Sequence, residues 1–283
     1  MSESLRHIKR RIRSIESTSK VTRAMEMISI VKLRHAQEGL VPAKDYSFKL
    51  EQMLKNILTS FVVKHPLLEN RKTKEKITLC FIASDMGLCG SYNHNMFKCV
   101  HDFIARHATS KINLVIIGKA GFRMFKKLSF PISDVYTEFH GRLNKEVFNK
   151  ISRRLVELFL TQEADEVHVA YTRFDSAARL KPVVEKILNV DTGQGQFVEY
   201  KAEPDIQTIC DELIPSYIDN KIYGILLNAF ASEHSARSMA MGEATENASE
   251  LLDELVRTRN KMRQASITKE IIEVISSVDA LKG

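Results

Sequence analysis

The fold is decided by the segment Glu250-Leu-Leu-Asp-Glu-Leu-Val-Arg-Thr-Arg-Asn-Lys-Met262. In and after it, apolar and small side chains recur at near-heptad spacing between charged residues, at Leu251, Leu255, Thr258, Met262, Ala265, Ile272 and Ile275. Such spacing is typical of a narrow stripe along one face of a long helix. From Ser216 to Leu281, only Gly224 and Gly242 weaken the helical pattern. At about 1.5 Å per residue, this helix would be on the order of 100 Å long.

The opening segment of the chain has the same character. Its apolar residues recur mostly at steps of three and four, at Leu5, Ile8, Ile12, Ile15, Val21, Met25 and Ile28. No proline precedes Pro42, and the helical pattern resumes from Leu50 to Leu58. We expect Gly39 and Pro42 to bend or interrupt this helix, because proline lacks the backbone N–H that a helix interior needs.

Two such helices need partners, because a helix of this length cannot bury its stripe in one compact core. Helices at opposite ends of one chain are natural partners. An insert that begins and ends at the same place would make them antiparallel. The sequence therefore predicts an antiparallel coiled coil, and the alternative is two amphipathic helices packed separately on a globular domain.

The middle of the chain alternates between strands and helices. Buried strands are predicted at 77–84, 112–118, 166–172 and 183–190, and helices near 93–106, 121–128 and 144–160. This alternation predicts a Rossmann-like α/β domain with a mostly parallel sheet. The predicted organisation is an N-terminal coiled-coil helix at 1–60, the inserted α/β domain at 61–208 and a C-terminal coiled-coil helix at 209–283.

Positive charge is concentrated at the start of the chain. The first 60 residues hold 12 Lys and Arg against 6 Asp and Glu, which accounts for +6 of the formal net charge of +7. Such a segment favours an acidic surface, either nucleic acid or the acidic loops of a protein partner. Trp is absent and no aromatic residues interleave with the basic ones, so the pattern offers no stacking platform for nucleic-acid bases.

The composition indicates an intracellular protein without membrane insertion. No stretch approaches the roughly 18 apolar residues that a membrane-spanning helix needs, and the first residues lack a secretory signal core. Cys80, Cys89, Cys99 and Cys210 follow no pairing pattern, so we expect free thiols in a reducing compartment.

The turn Asp85-Met-Gly-Leu-Cys-Gly90 is the main candidate for chemistry, since backbone amides between a strand and a helix can hold an anion. It lacks the Lys-Ser/Thr ending of a P-loop and the three-glycine dinucleotide fingerprint. Gly118-Lys-Ala-Gly121 repeats the situation after another strand, which favours a structural turn.

Two further readings of the same region stay open as alternatives. Cys89 could act as a nucleophile near His94, in an enzyme built on the α/β domain. A zinc site could use Cys80, Cys89, His94, Cys99 and His101, although their spacing matches no compact zinc motif. The sequence predicts no catalytic residue, no cofactor and no metal site.

Four blocks of the sequence resemble the gamma subunit of the F-type rotary ATP synthase, in that family's order. They are Val21-Thr-Arg-Ala-Met-Glu-Met27 with Lys32-Leu-Arg-His-Ala-Gln37, the turn Asp85–Gly90, Ala231-Ser-Glu-His-Ser-Ala-Arg237 with Met239-Ala-Met241, and Arg263-Gln-Ala-Ser-Ile-Thr268. The resemblance implies a non-catalytic rotor shaft on the cytoplasmic face of a bacterial inner membrane. Its coiled coil would stand inside a ring of alpha and beta subunits, and its α/β domain would contact the epsilon subunit and the membrane c ring.

The resemblance also implies contact residues. Lys20, Arg23 and Met25 would face a beta-subunit loop, with Arg263, Gln264 and Thr268 opposite them on the other helix. Tyr200, Glu203 and Asp205 resemble the segment that contacts the c ring and epsilon. The chain departs from the family's pattern at Met86, usually arginine, at Ala202, often aromatic, and at 276–283, which lacks a small-residue run.

Overall fold

The computed structural model describes residues 2–71, 75–128, 130–139, 144–191 and 193–282, and side chains from residue 5 to residue 277 within those ranges. The helices are α1 (Ser2–Ser60), α2 (Tyr92–Arg106), α3 (Lys119–Lys126), α4 (Lys145–Leu160) and α5 (Ile206–Lys282), with a short 3-10 turn at Pro66–Leu68. The strands are β1 (Lys76–Ile82), β2 (Lys111–Ile117), β3 (Ile132–Tyr136), β4 (Glu166–Ser176) and β5 (Arg179–Leu188). Long terminal helices around a central α/β region were predicted, and the structure confirms them.

Contacts divide the chain into two compact units. The coiled-coil unit comprises Met1–Ile28 and Ser238–Gly283, and the α/β unit comprises Ser29–Arg237. The domain boundaries expected from the sequence, at residues 60 and 208, lie instead near the end of α1 and the start of α5. Both α1 and α5 contribute residues to each unit.

The coiled-coil unit pairs α1 with α5 in antiparallel fashion. Thr22 and Thr245 share a hydrogen bond of 2.8 Å between their hydroxyl oxygens. Glu26 follows Thr22 by four residues on α1, whereas Gly242 precedes Thr245 by three residues on α5. The carboxylate of Glu26 lies against Gly242, as antiparallel helices require. Ile12 lies ten residues before Thr22 on α1, and Leu255 lies ten residues after Thr245 on α5, so this register places them opposite each other. Both side chains are buried, at 6% and 8% exposure. The antiparallel pairing predicted from the sequence is confirmed.

The buried stripe differs in detail from the predicted one. On α1, Ile12 is buried and Leu5, Ile8, Ile15 and Met25 are half-buried, whereas Val21 and Ile28 are exposed. On α5, Leu255 is buried and Leu251 and Met262 are half-buried, whereas Thr258, Ala265, Ile272 and Ile275 are exposed. The register places Ser2, twenty residues before Thr22, opposite residue 265, twenty after Thr245. Ile272 and Ile275 lie beyond that level of α5, and both are exposed.

The predicted interruption of α1 does not occur. The helix continues through Gly39 and Pro42 to Ser60, and α5 likewise continues through Pro215. Pro42 deprives the carbonyl of Glu38 of its helical partner. Both residues are exposed, so water can hydrate that carbonyl and the helix tolerates the loss.

The α/β unit contains one sheet in the order β3-β2-β1-β4-β5 within the described residues. β1 pairs in parallel with β2 and β4, and β2 pairs in parallel with β3, as the predicted mostly parallel sheet requires. β5 instead forms an antiparallel hairpin with β4. β3 was not predicted, because it is a short edge strand in which polar Ser133 and Asp134 weaken the apolar pattern.

Two apolar clusters cover the two faces of this sheet. One joins Leu54 of α1, Leu155 of α4 and Ile218 of α5 to sheet residues such as Cys80. The other joins Met96 of α2 and Phe125 of α3 to Phe81 and its neighbours. Alternate residues of β1 face the two clusters, which explains why this strand reads as one continuous apolar run.

Candidate functional site

The turn Asp85–Gly90 lies after β1, at the carboxyl edge of the parallel strands, where α/β folds commonly bind ligands. In this protein α5 covers it. Arg237 donates hydrogen bonds from Nη2 to the carbonyl oxygen of Met86 at 2.9 Å and from Nε to that of Gly87 at 3.3 Å. The turn therefore presents carbonyl oxygens to a buried cation, an arrangement that holds two segments of the chain together.

Arg237 is itself held by a carboxylate one helical turn earlier. Its Nη2 donates to Oε1 of Glu233 at 2.8 Å, and the two side chains are only 6% and 5% exposed. Its Nη1 lies 3.3 Å from Nδ1 of His234. Burial raises the pKa of Glu233, while Arg237 acts in the opposite direction. We call Arg237, Glu233 and the carbonyls of Met86 and Gly87 the arginine clamp.

The inside of the turn is held by a second set of hydrogen bonds. Ser84 Oγ donates to the carbonyl of Met86 at 2.7 Å, and Asn93 Nδ2 donates to Ser84 Oγ at 2.7 Å and to Cys89 Sγ at 3.2 Å. Burial raises the pKa of Cys89, which favours the thiol over the thiolate. Cys89 is buried whereas His94 is exposed, so the structure does not bring them together as a nucleophile and its base.

Asp85 connects this turn to the neighbouring loops. Its Oδ1 accepts the backbone N–H of Lys119 and that of Glu138, each at 3.1 Å. Gly118, just before Lys119, has a φ of +98°, and a Cβ there would lie 2.2 Å from the carbonyl oxygen of Ala83. This second glycine turn thus allows a close approach of two backbones, the structural role that the sequence favoured.

The residues considered for zinc do not form a site. In the part of the chain that the structure describes, no three His, Cys, Asp or Glu side chains are grouped to hold a metal ion. Cys80 lies in the apolar cluster, where burial raises its pKa to about 12. Sulfur in such a position is not available as a thiolate ligand at neutral pH.

The six residues predicted to contact a beta subunit lie in the coiled-coil unit. Lys20, Arg23, Arg263, Gln264 and Thr268 are exposed, and Met25 is half-buried. The expectation that the two triplets lie opposite each other is wrong. The Thr22–Thr245 register places 20–25 opposite 242–247, so Arg263 begins 16 residues further along α5. The triplets are therefore separated by roughly 30 Å along the helices.

The residues predicted to contact the c ring or epsilon lie just before α5. Asp205 accepts hydrogen bonds from the backbone N–H of Thr208 at 2.9 Å and from its hydroxyl at 2.7 Å. These bonds lower the pKa of Asp205 and make it the N-terminal cap of α5. Glu203 is exposed, while Tyr200 is half-buried against the apolar cluster.

Both halves of the arginine clamp lie in blocks that resemble the gamma-subunit family, Asp85–Gly90 and Ala231–Arg237, but the sequence predicted no role for Arg237 and no contact between the blocks. Arg237 and Met86 are 151 residues apart, and no local pattern relates them. The available signal was a run of polar residues at Ser232, Glu233, His234 and Ser235, within a helix that is otherwise apolar on the side facing the sheet. Buried polar residues in series indicate partners across an interface inside the protein.

Among the described helices, none has the length and apolar character to cross a membrane. The side chains of 278–282, which include the atypical charges of Asp279 and Lys282, lie outside the described part of the chain.

Comparison with solved structures shows which known chains share this fold. A chain of the Euglena gracilis mitochondrial ATP synthase, in a structure of OSCP, F1 and c-ring, superposes with a TM-score of 0.70 at 16% identity, covering 99% of this chain and 95% of that one. A rotor chain of the same enzyme gives 0.66 at 16% identity, covering 94% of this chain and 100% of that one. The fold is that of the stalk subunits of rotary ATP synthases.

Sequence comparison gives the family. A family model described as ATP synthase matches residues 4–281. The ATP synthase gamma chain of Pelotomaculum thermopropionicum is 36% identical over 284 residues, covering 99% of each chain, and that of Heliobacterium modesticaldum is 36% identical over 289 residues, covering 98% of this chain and 99% of the relative. The chain belongs to the ATP synthase gamma-chain family.

Proposed function

We propose that this protein is the central rotor shaft of an F-type ATP synthase and contributes no catalytic residue. It couples ion-driven rotation of a membrane c ring to conformational change in catalytic beta subunits. The observation that carries the proposal is the antiparallel pair of long helices, in a chain that belongs to the gamma-chain family along nearly its whole length. This design suits a shaft, because two helices that pack along a shared buried seam bend less easily than a single helix.

The beta-subunit contacts are proposed at two levels of the coiled coil. Lys20, Arg23 and Met25 form the first level, and Arg263, Gln264 and Thr268 form the second, roughly 30 Å away along the helices. Exposed cations at both levels favour acidic loops on the alpha and beta subunits of the surrounding ring. Because of that separation, we assign the two levels to different loops of the surrounding ring.

The segment before α5 is proposed to contact the c ring and epsilon. Within it Glu203 is the strongest candidate for an ionic contact, because it is exposed and has no capping role. Both carboxylate oxygens of Asp205 accept hydrogen bonds from Thr208. We therefore propose that Asp205 orients the segment and does not itself contact the partner. Tyr200 is half-buried against the apolar cluster, so only part of its side chain is available for contact.

The proposed location is the cytoplasmic face of a bacterial inner membrane, as a peripheral subunit. Support comes from the bacterial gamma chains that match over nearly their full length. Attachment would be through the c ring and not through insertion of this chain.

The experiment is co-expression of the tagged chain with the alpha and beta subunits of its own organism. We expect a stable complex that hydrolyses ATP, and ATP-driven ion transport once the complex is joined to the c ring in vesicles. The isolated chain should hydrolyse no ATP. A chain that never co-purifies with the ring would contradict the proposal.

A further inference from the structure

A cavity of about 470 Å³ opens between α1, α5 and the hairpin of β4 and β5. Every residue that lines it belongs to the α/β unit. None of the predicted contact residues and no member of the arginine clamp lines it. Its volume lies in the range of cavities that bind small molecules.

The two helices face this cavity at the spacing of a helix seam. The wall is formed on α1 at 40, 44, 47 and 51, and on α5 at 217, 221, 224 and 228. Steps of four and three residues pack two helices together when the residues are apolar. Polar or small residues take most of these positions instead, namely Lys44, Ser47, Glu51, Lys221, Gly224 and Asn228. A gap therefore remains between the helices where a seam could have formed.

Gly224 indicates that this gap has an occupant from outside the chain. Glycine destabilises the interior of a helix relative to alanine, so its presence there needs a reason. No atom of the described residues lies within 4 Å of the position that a Cβ would take, so contacts within the described chain do not supply that reason. A glycine here leaves the helix backbone accessible to a molecule in the cavity.

The charges of the wall favour an anion. Each carboxylate that lines the cavity already has a cation nearby, and the pairs are Glu185 with Lys221 at 2.9 Å, Asp175 with Arg173 at 3.0 Å and Glu51 with Lys55 at 2.6 Å. Lys44 has no ionic partner in the part of the chain that the structure describes. The uncompensated charge of the wall is therefore positive.

Lys221 provides a second, fixed donor on the opposite helix. The other oxygen of Glu185 accepts the hydroxyl of Tyr171 at 2.9 Å, which holds the carboxylate and the lysine beside it in place. Burial acts to lower the pKa of Lys221, but Tyr217 and Glu185 together raise it, so the ammonium group stays charged. An ammonium group has three N–H donors, so Lys221 can also donate to a bound anion.

We propose that the cavity binds a small organic carboxylate, with its carboxylate group between Lys44 and Lys221 and its apolar part against Gly224 and Ile225. Ile225 lines the cavity and is 4% exposed. An inorganic anion would leave this apolar part of the wall uncovered, whereas an organic body covers it. The inference concerns a site on this chain and does not depend on the rotor function.

The test is the binding of 2-naphthoate and octanoate to the full chain, measured by titration calorimetry and by methyl NMR of isoleucine-labelled protein. We expect one site, with shifts at the methyl groups of Ile225. Ile116, in the apolar cluster of α2 and α3, should not shift. The uncharged analogue 2-naphthamide is the matched control ligand. It should bind about tenfold more weakly, because it cannot form the charge-assisted bonds.

Variants locate the site. Lys44→Gln should weaken the binding of 2-naphthoate by about tenfold, and Lys49→Gln, at an exposed lysine of α1 outside the cavity, should leave it unchanged. Gly224→Leu fills the cavity and should abolish binding. If Gly224→Leu does not fold, Gly224→Ala decides, with a higher melting temperature and weaker binding expected.

Three results would overturn the proposal. The first is that neither carboxylate binds the wild-type chain. The second is that shifts occur only at exposed isoleucines such as Ile272 and Ile275, which would show adsorption to the apolar end of α5. The third is binding that Lys44→Gln and the Gly224 variants leave at the wild-type level.

Discussion

Glu233 and Arg237 are charged residues that the α/β unit buries almost completely, and the charge of each is compensated by the opposite charge of the other. Removing one partner of such a pair leaves an unpaired buried charge, which is costly. Burial nevertheless raises the pKa of Glu233, so the surroundings of this carboxylate do not fully replace its hydration.

The folded-state pKa of Glu233 lies above its ordinary value of 4.5. Its contribution to stability is therefore fully present below that pH and is lost as the pH rises through the higher folded-state pKa. Relative to Glu233→Gln, wild-type protein should lose free energy of unfolding as the pH rises over this window. Urea unfolding of the two proteins at a series of pH values measures the difference. Glu243→Gln serves as the control for an exposed carboxyl on the same helix, and a pH-independent difference for Glu233→Gln would contradict the expectation.

Leu255 provides a test of the seam between α1 and α5. It is buried in the seam of the coiled-coil unit, whereas Thr258, one turn later, is exposed. Leu255→Asp places an unpaired charge between the helices and should lower the free energy of unfolding by about 3 kcal/mol or more. Thr258→Asp is the matched control and should change it by less than about 0.5 kcal/mol. Helix content during urea unfolding compares them, and equal losses would show that Leu255 is not in the seam.

At the scale of elements, the loops at the carboxyl edge of the sheet depend on one close backbone approach. Gly118 has a positive φ, and an added Cβ would lie 2.2 Å from the carbonyl oxygen of Ala83. Gly193 also has a positive φ, of +67°, but among the described residues no atom lies within 4 Å of the position of its Cβ. An alanine at Gly193 therefore measures the cost of the left-handed backbone alone, whereas an alanine at Gly118 adds the cost of a steric collision.

We expect Gly193→Ala to lower the free energy of unfolding by about 1 kcal/mol, from the left-handed backbone alone. Gly118→Ala adds a collision with backbone atoms that cannot move aside, and should cost about 3 kcal/mol or more. Thermal and urea unfolding of both variants give the comparison. Similar losses in the two proteins would mean that β1 and the turn at Gly118 do not pack as closely as described.

The elements also show which parts of the fold a sequence can predict. β1 and β2 were predicted because both faces of each strand are buried, which produces long apolar runs. β3 was missed because it is a short edge strand with polar residues. The interruption at Pro42 was wrong because the rule against proline in a helix interior is relaxed where solvent reaches the freed carbonyl. The arginine clamp could not be predicted, since it joins residues 151 positions apart.

At the scale of the whole molecule, family membership and the pairing of α1 with α5 lead to the same account. The chain supplies a shaft made from its two ends and an α/β domain made from its middle. The predicted contact residues came from motif resemblance, and the register of the coiled-coil unit separated them into two levels. The family resemblance indicates which residues would contact a beta subunit, but the register of the helix pair determines which of them lie at the same level of the coiled coil.

The most direct test of the shaft is single-molecule rotation. The alpha and beta subunits would be fixed to a surface, and a gold particle would be attached through Asp102→Cys, an exposed position on α2 in the α/β unit. We expect ATP to drive the particle in one direction, with pauses at fixed angles as successive beta subunits act. Steady ATP hydrolysis by labelled complexes whose particles show only undirected motion would contradict it.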